Sequence, residues 1–254
     1  MKLSLSVIIP TLNNVKGVKY LLNYFKNKSY KIVVVNNKKK NLGFAGGVNK
    51  GAKNIKTKWM LILNDDIEFH DDVSINRLIE LAEEKKIDAL SPVLVNPVKF
   101  EKPFNRVNPN GEVENYGYKV LPYGKVELIK NDVGVGFSDL DGLTAACLLV
   151  KTSVFKRLKG FDESFFAYLE DVDFFLRFKK AGYKMTIADN IKVVHNHMTT
   201  SKTMGNFKAR QDMINWWRLY FKHRDILKFN IKFIIERLKN ISGFVKATFL
   251  NFLN

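Results

Sequence analysis

One cysteine stands in 254 residues. A lone Cys147 excludes an internal disulfide and suits a reducing compartment. It lies in the apolar run Ala145–Val150, which has the composition of a buried strand, so its expected role is a core filler. No stretch of eighteen apolar residues occurs, so no segment is expected to span a membrane as a helix. The opening Met1–Pro10 has too short an apolar run for a secretory signal and no small-residue cleavage site after it; it reads as a first buried strand. Neither GxGxxG nor GK[ST] is present, which excludes the common dinucleotide fingerprint and the Walker loop. Internal repeats and low-complexity tracts are also missing. Acidic residues are few: 25 against 42 lysines and arginines leave a net charge of +17. Such a surplus calls for an anionic partner, whether nucleic acid, an anionic membrane surface or a phosphorylated substrate. A hydrophobic content of 46% is that of a globular chain, and the length suits one large domain or a domain with an appendage.

What is present alternates. Residues 3–9, 31–35, 58–63 and 89–95 are continuous apolar strands, with helices expected from Asn13 or Asn14 to about Asn27 and from about Asp72 to Lys85. This order predicts an α/β fold with a parallel sheet covered on both faces. The segment 96–140 holds several prolines and little periodicity, and reads as loops and short strands over the active face, a candidate acceptor region. Residues 143–150 return as a strand, a helix starts near Thr152, and Tyr183–Ala188 and Ile191–His195 read as two short strands. The tail 207–254 is helical. Leu227, Ile231, Ile234, Leu238, Ile241, Val245, Phe249 and Phe252 recur at steps of three and four, with Lys228, Lys232, Lys239 and Lys246 one step round. Two readings are open: a helix on an anionic bilayer with snorkelling lysines, or a helix packed on the domain or a partner. The division expected is 1–206 as the main domain, with 1–95 and 96–206 as its halves, and 207–254 as a basic amphipathic appendage.

The stretch Phe161–Arg177 sets five acidic residues among aromatic ones. Asp162 and Glu163 suit a helical turn. Glu170, Asp171 and Asp173 suit the start of a second helix, where the dipole favours carboxylates, and a carboxylate above an aromatic wall is a candidate general base. Polar residues also punctuate the strand ends where an open α/β sheet binds ligands: Pro10-Thr11-Leu12-Asn13, Asn36-Asn37 and Asn64-Asp65-Asp66. Their amides could read a base edge or a ribose. Glycines in Asn41–Gly51, Gly46 among them, would allow close backbone approach to a ligand. Asp65-Asp66 with His195, whose neighbour is His197, supplies ligands for Mg²⁺ or Mn²⁺ at a diphosphate. The alternatives are that the two acids cap the following helix and that His195 is a hydrogen-bonded structural histidine. A nucleotide-diphosphate site, a metal and a separate carboxylate together describe glycosyl transfer by single displacement with inversion. A single base distinguishes this from the paired carboxylates of glycoside hydrolases.

These stretches, in this order and over roughly residues 3–225, make the chain resemble the family 2 glycosyltransferases of GT-A fold, especially the rhamnosyltransferase-like branch. The matching segments include Val7–Asn13, Val33–Asn37, Asn41–Gly51, Leu61–Asp66, Gly160–Glu163, Tyr168–Asp173, Ala181–Tyr183 and His195. The resemblance implies a Rossmann-like mixed, mainly parallel sheet of GT-A type. It further implies that Pro10, Thr11, Asn36 and Asn41 line the nucleobase and ribose pocket, with Asn13 and Gly46 in the adjoining motifs. Asn64, Asp65 and Asp66 would form the metal motif, with Asp66 the direct ligand of Mn²⁺ or Mg²⁺ and His195 beside the ion. Asp171, paired with Glu170, would be the catalytic base, and Asp141 would lie near the sugar or acceptor. Two departures stand out: Asn36 and Asn64 occupy places where the family usually has aspartate.

The expected partners are a UDP- or dTDP-linked sugar and a glycan or lipid-linked acceptor in cell-surface polysaccharide or glycoconjugate synthesis. Peripheral contact with an anionic membrane at the cytoplasmic face goes with them. Nucleic acid is not expected, because no reader motif or aromatic-basic platform accompanies the charge. A catalytically impaired sugar-nucleotide binder, motivated by Asn36 and Asn64, is the competing reading; Asp66, Asp171 and His195 argue against it. Sugar, linkage and oligomeric state are left open.

Overall fold

A computed structural model of the chain describes residues 5–69, 75–97, 112–130, 140–197 and 206–253. Its organising strand is β1 (Leu5–Thr11), every residue of which is buried. A fully buried strand with β-branched side chains on both faces needs cover on both sides. Strands β2 (Lys31–Asn36) and β3 (Trp59–Leu63) flank it, both parallel to it. Helix α1 (Val15–Phe25) follows β1 and buries Leu21 and Phe25. Its cap is Asn14, not Asn13: the Asn14 side chain accepts from the Gly17 amide at 3.0 Å.

The glycine-rich stretch is a helix, α2 (Gly43–Ala52), rather than a ligand-embracing loop. Its glycines admit the helix close to the sheet. A Cβ on Gly51 would lie 2.5 Å from Ile8, and one on Gly47 would lie 2.8 Å from the Asn37 amide. Gly47 and Gly51 thus make their close backbone approach to β1 and the end of β2.

After β4 (Ile67–Phe69), α3 (Ile75–Glu84) and β5 (Ala89–Val95) come the short strands β6 (Val113–Asn115), β7 (Tyr118–Leu121) and β8 (Lys125–Leu128). The expected helix start near Asp72 lies outside the described residues, as do 98–111 and 131–139 of the middle segment. Then follow β9 (Cys147–Lys151), α4 (Thr152–Arg157), a 3₁₀ turn at Glu163–Phe165, α5 (Glu170–Lys180) and β10 (Met185–His195). β10 is one strand where two were expected; its register shifts between Ala188 and Lys192. The sheet order is β2-β1-β3-β9-β5-β10-β4, with β6 on the end of β5. It is mixed: β5 and β10 are parallel, while β9 runs antiparallel to both β3 and β5, and β4 antiparallel to β10.

One core lies under α2, α4 and α5, built on Phe155, Phe161, Phe174, Phe175 and Phe178. The opposite face is filled from α1 and α3. Cys147 is buried and free, and burial pushes its thiol up. The tail is a hairpin, α6 (Phe207–Lys222) and α7 (Ile231–Leu253). Helix α6 belongs to the globule: Trp216 and Leu219 are buried with Tyr118, Phe165 and Val172.

Candidate functional site

Strands β1, β3, β5 and β10 run in one direction, and a cleft of about 880 Å³ opens at their carboxyl ends. It is the place where an open α/β sheet binds ligands. Pro10, Thr11, Asn41, Asn64, Asp65, Asp66, Glu170, Asp171 and His195 all line it. Among the described residues, eight buried side-chain nitrogen or oxygen atoms lack a hydrogen-bond partner. Six belong to this cleft: those of Asn37, Asn64, Asp66, Tyr118, Glu170 and His195. Buried polar atoms are normally satisfied, so this concentration marks groups built to meet a polar ligand.

At one side, Asp66 and His195 are both buried, and Asp66 Oδ1 lies 3.3 Å from His195 Nε2 without hydrogen-bond geometry. The other imidazole nitrogen, Nδ1, is 2.9 Å from Glu114 Oε2, and His197 Nε2 is 3.3 Å from the same oxygen. Where a cation displaces the Nε2 proton, the proton kept on Nδ1 and donated to Glu114 would leave the Nε2 lone pair free to bind it. Adjacent ligands of a six-coordinate ion with bonds of about 2.1 Å lie about 3 Å apart, so the Asp66–His195 pair fits one divalent cation. Glu114, His195 and His197 also form a cluster that could hold such an ion. Burial by itself would lower the His195 pKa, but Asp66 and Glu114 outweigh it and raise it to about 9. Burial likewise opposes ionisation of Glu114, yet His195 and His197 hold its carboxyl down at about 2. Asp65 and Asp66 do not cap a helix; β4 follows them directly. Burial, with the charge of Asp66 adding to it, pushes Asp65 up to about 6 against hydrogen bonds from Thr11 and Asn14. Gly17 lets α1 abut this turn, since a Cβ there would be 1.7 Å from the Asp65 carbonyl oxygen.

Across the cleft, Glu170 and Asp171 open α5. Asp171 accepts from the Val172 amide at 2.8 Å and from Ala145 at 3.4 Å. Burial raises both carboxyls, and the charge of Asp171 raises Glu170 further. Two adjacent carboxyls in so dry a site cannot both ionise easily, so the proton of the pair stays on Glu170 and Asp171 carries the charge. The chain reaches this point through Phe166, Tyr168 and Leu169, all at positive φ, a conformation that costs non-glycine residues energy. It is held there by Asn215 of α6. The Asn215 amide is fully buried and donates to the carbonyls of Phe165, Ala167 and Tyr168 at 2.9, 2.9 and 2.8 Å. Its oxygen accepts from Arg218 at 2.8 Å. Asp173 ties the same two helices together: it is wholly buried and meets Arg177 (2.8 Å), Lys222 (2.7 Å) and His223 (3.0 Å).

Four expected site residues lie elsewhere. Gly46 is a packing glycine facing Leu42 and Glu163. Asp141 is a brace outside the cleft lining: one oxygen accepts from the Val120 amide at 2.8 Å and the other pairs with Lys179 at 2.6 Å. Asn13 and Asn36 line a second groove of about 630 Å³ along α1, which meets the cleft at Thr11 and Leu12. Asn36 is exposed and accepts from the Lys38 amide, while its neighbour Asn37 turns into the cleft. Glu114, Tyr118 and Asn215 are the additions of the structure. Asn37 and His197 were named in the sequence only as neighbours of Asn36 and His195.

The sequence model of glycosyl transferase family 2 matches residues 16–125. An N-acetylglucosaminyl-diphospho-decaprenol L-rhamnosyltransferase of Mycobacterium tuberculosis is 27% identical over 63% of this chain and 57% of its own length. A low-salt glycan biosynthesis hexosyltransferase of Haloferax volcanii is 25% identical over 61% of this chain and 49% of its own. The chain thus spans about half the length of these curated relatives. Among solved structures, a mannosyltransferase of Pyrobaculum calidifontis in complex with GDP-Man and Mn²⁺ superposes with a TM-score of 0.58 at 13% identity. That match covers 96% of this chain and 73% of the other. GalNAc-T7 with UDP, GalNAc and Mn²⁺ gives 0.57 at 12% identity over 78% of this chain and 44% of its own. The fold is therefore the GT-A-type nucleotide-sugar transferase fold, and the N-terminal half carries the family 2 sequence signature. The relatives include both a rhamnosyl- and a hexosyltransferase, so the likeness does not single out the rhamnosyl branch.

Proposed function

We propose that the chain is an inverting glycosyltransferase that moves a sugar from a nucleoside diphosphate to an acceptor hydroxyl. One observation carries this reading: a single cleft joins an unsatisfied Asp66–His195 pair to the half-buried Asp171 carboxylate at a helix start. The donor base and ribose lie against Pro10, Thr11, Asn37 and Asn41, with Asn36 and Asn13 bordering the groove beyond. Asp66 Oδ1 and His195 Nε2 would hold Mn²⁺ or Mg²⁺, with Asn64 and Asp65 around them. A bound divalent ion supplies charge neutralisation for the departing diphosphate. Asp171 accepts the proton of the acceptor hydroxyl. That oxygen forms its bond to the anomeric carbon as the carbon–oxygen bond to the diphosphate breaks on the opposite face, which inverts the centre. Glu170, kept protonated, limits the negative charge beside the base without taking part in the displacement.

The donor is a UDP- or dTDP-linked sugar, with rhamnose among the candidates by analogy with the mycobacterial relative. The acceptor is a glycan or lipid-linked glycan bound over residues 96–206. The place of action is the inner face of the cell membrane, with the protein peripheral to it. Calorimetric titration with UDP, dTDP and GDP, each with Mn²⁺ and with chelator, tests the reading. Metal-dependent binding of one nucleoside diphosphate, lost in Asp66→Ala, is the expected result. Binding of none of them, or binding indifferent to both chelator and Asp66→Ala, would overturn it.

A further inference from the structure

The tail stripe seen in the sequence is not the face that α7 turns to the domain. Helix α7 docks through Phe233 and Arg237, both buried. The Arg237 guanidinium donates to the Gly124 carbonyl at 2.7 Å and lies over the rings of Trp216 and Phe233 at 4.5 and 4.7 Å. Ile231, Leu238, Val245 and Phe249 are 69, 58, 59 and 63% exposed, and Ile234, Ile235 and Ile241 are exposed with them. At about 100° per residue these seven fall within an arc of about 120°, a continuous apolar strip along the outer side of the helix. Leu227 is the exception; it is buried. The strip continues onto aromatic rings at the hairpin. Phe229 and Phe221 are exposed, and Trp217 lies 6.5 and 6.2 Å from them, centroid to centroid. Soluble monomers rarely leave a patch of this extent to water.

We propose that this face, Trp217, Phe221 and Phe229 together with the outer strip of α7, seats the protein on an anionic bilayer. The inference deepens the peripheral-membrane reading above and rests on it, but not on the transfer reaction. Charge selects the occupant. Lys232, Lys239 and Lys246 follow one edge of the strip at about 100° per residue, where their stems can lie along apolar surface while the ammonium groups reach lipid phosphate. Glu236, the acid on α7, is turned from the strip and paired with Lys239 at 2.7 Å. A chain of net charge +17 is drawn to anionic lipid and repelled by a second copy of itself. No helix among the described residues is long and apolar enough to cross a membrane, so α7 would lie in the interface. Helix α6 links this face to the cleft. Phe207, Lys208 and Asp212 line the cleft, and Phe221 stands about 20 Å further along the helix at 1.5 Å per residue. The far end of α7 returns to the cleft end of α6, where Asn206, next to Phe207, donates to Thr248 at 2.8 Å.

The test uses the full chain, vesicles of phosphatidylcholine alone or with phosphatidylglycerol, and bilayer-embedded bromolipid quenching of tryptophan. Trp59 and Trp216 are buried in the fold, so quenching reports Trp217. The expected result is sedimentation with anionic vesicles, weakened about ten-fold or more by high salt or by neutral lipid. Quenching should be lost in Trp217→Phe, and binding should fall at least about ten-fold in Leu238→Glu. Leu238 is exposed, so that variant folds. Wild-type protein that binds no vesicle would overturn both this assignment and the peripheral reading, leaving nucleotide binding unaffected. Wild-type binding matched by Leu238→Glu would overturn the assignment of this face alone. A lipid-free dimer that Leu238→Glu dissociates would give the face to a second copy of the chain instead.

Discussion

Replacing Asn215 should slow catalysis without weakening the donor. This amide has two N–H groups and meets three carbonyls of the segment that delivers Glu170 and Asp171. Net hydrogen bonds are worth about 1 kcal/mol each, and a buried carbonyl left unpaired costs about 1–3 kcal/mol. Asn215→Ala should therefore cost about 2–4 kcal/mol. For a chain of this length that corresponds to a fall of about 5–15 °C in Tm, at about 2–4 °C per kcal/mol. Once released, Phe166, Tyr168 and Leu169 can leave their positive φ values, each worth on the order of 1 kcal/mol or more. Asp171 then loses its fixed position, and a misplacement of about 1 Å costs about 10²-fold in rate. The expected outcome is kcat lowered about 10–100-fold, with nucleoside diphosphate affinity within about two-fold, because the donor side is built on β1, β2 and β3. Asn215→Asp should be at least as damaging, since it sets a carboxylate against three carbonyl oxygens while keeping the Arg218 contact. Steady-state kinetics well below the variant's Tm, beside calorimetric nucleotide titration, decide the matter. A lowered Tm with unchanged kcat would make the amide purely structural, and equal losses of kcat and nucleotide affinity would refute the local argument.

Asp171→Asn should lower transfer by about 10²–10⁴-fold while nucleotide binding survives. Because burial raises both Asp171 and Glu170, the folded state favours their protonated forms. Their contribution is most favourable at acid pH and is lost as pH rises through the folded values, so Asp171→Asn or Glu170→Gln should raise Tm more at pH 8 than at pH 5. A lowered Tm at pH 8 would contradict this. Asp173 behaves oppositely. Although burial disfavours its charge, His223, Arg177 and Lys222 hold it at about 2, so its contribution is present above the ordinary carboxylate value and lost as pH falls through about 2. Asp173→Ala should cost about 3–5 kcal/mol in urea unfolding at pH 7, with the gap to wild type narrowing in acid. In Glu114→Gln, loss of the carboxylate that orients His195 should weaken Mn²⁺ affinity about 10–100-fold by electron paramagnetic resonance; unchanged affinity would remove Glu114 from the site. Gly17→Ala should cost about 1–3 kcal/mol by forcing α1 away from the Asp65 carbonyl, and should also weaken metal-dependent nucleotide binding. A variant with wild-type Tm and affinity would show the turn to be compliant.

Local pattern alone was enough to place β1, β3, β5 and β9, the acidic start of α5, and Asp66, Asp171 and His195 at strand and helix ends. Periodicity and terminal chemistry are properties of neighbouring residues, and a chain read in order displays them. What it could not display is which side chain meets which across the fold. Glu114 reaches His195 over 81 positions, and Asn215 reaches its loop over 47 to 50. Neither lies in a stretch whose composition sets it apart. The same limit hid where Gly46, Asn36 and Asp141 sit. Glycines suit close approach to a sheet as well as to a ligand, adjacent residues at a strand end turn to opposite sides, and a carboxylate free on paper was already occupied by Val120 and Lys179. For α7 the apolar strip was visible as spacing. Only the tertiary structure decided that the helix docks by its Phe233–Arg237 side, because that choice depends on Gly124 and Trp216 waiting to receive it. The strip is left facing out.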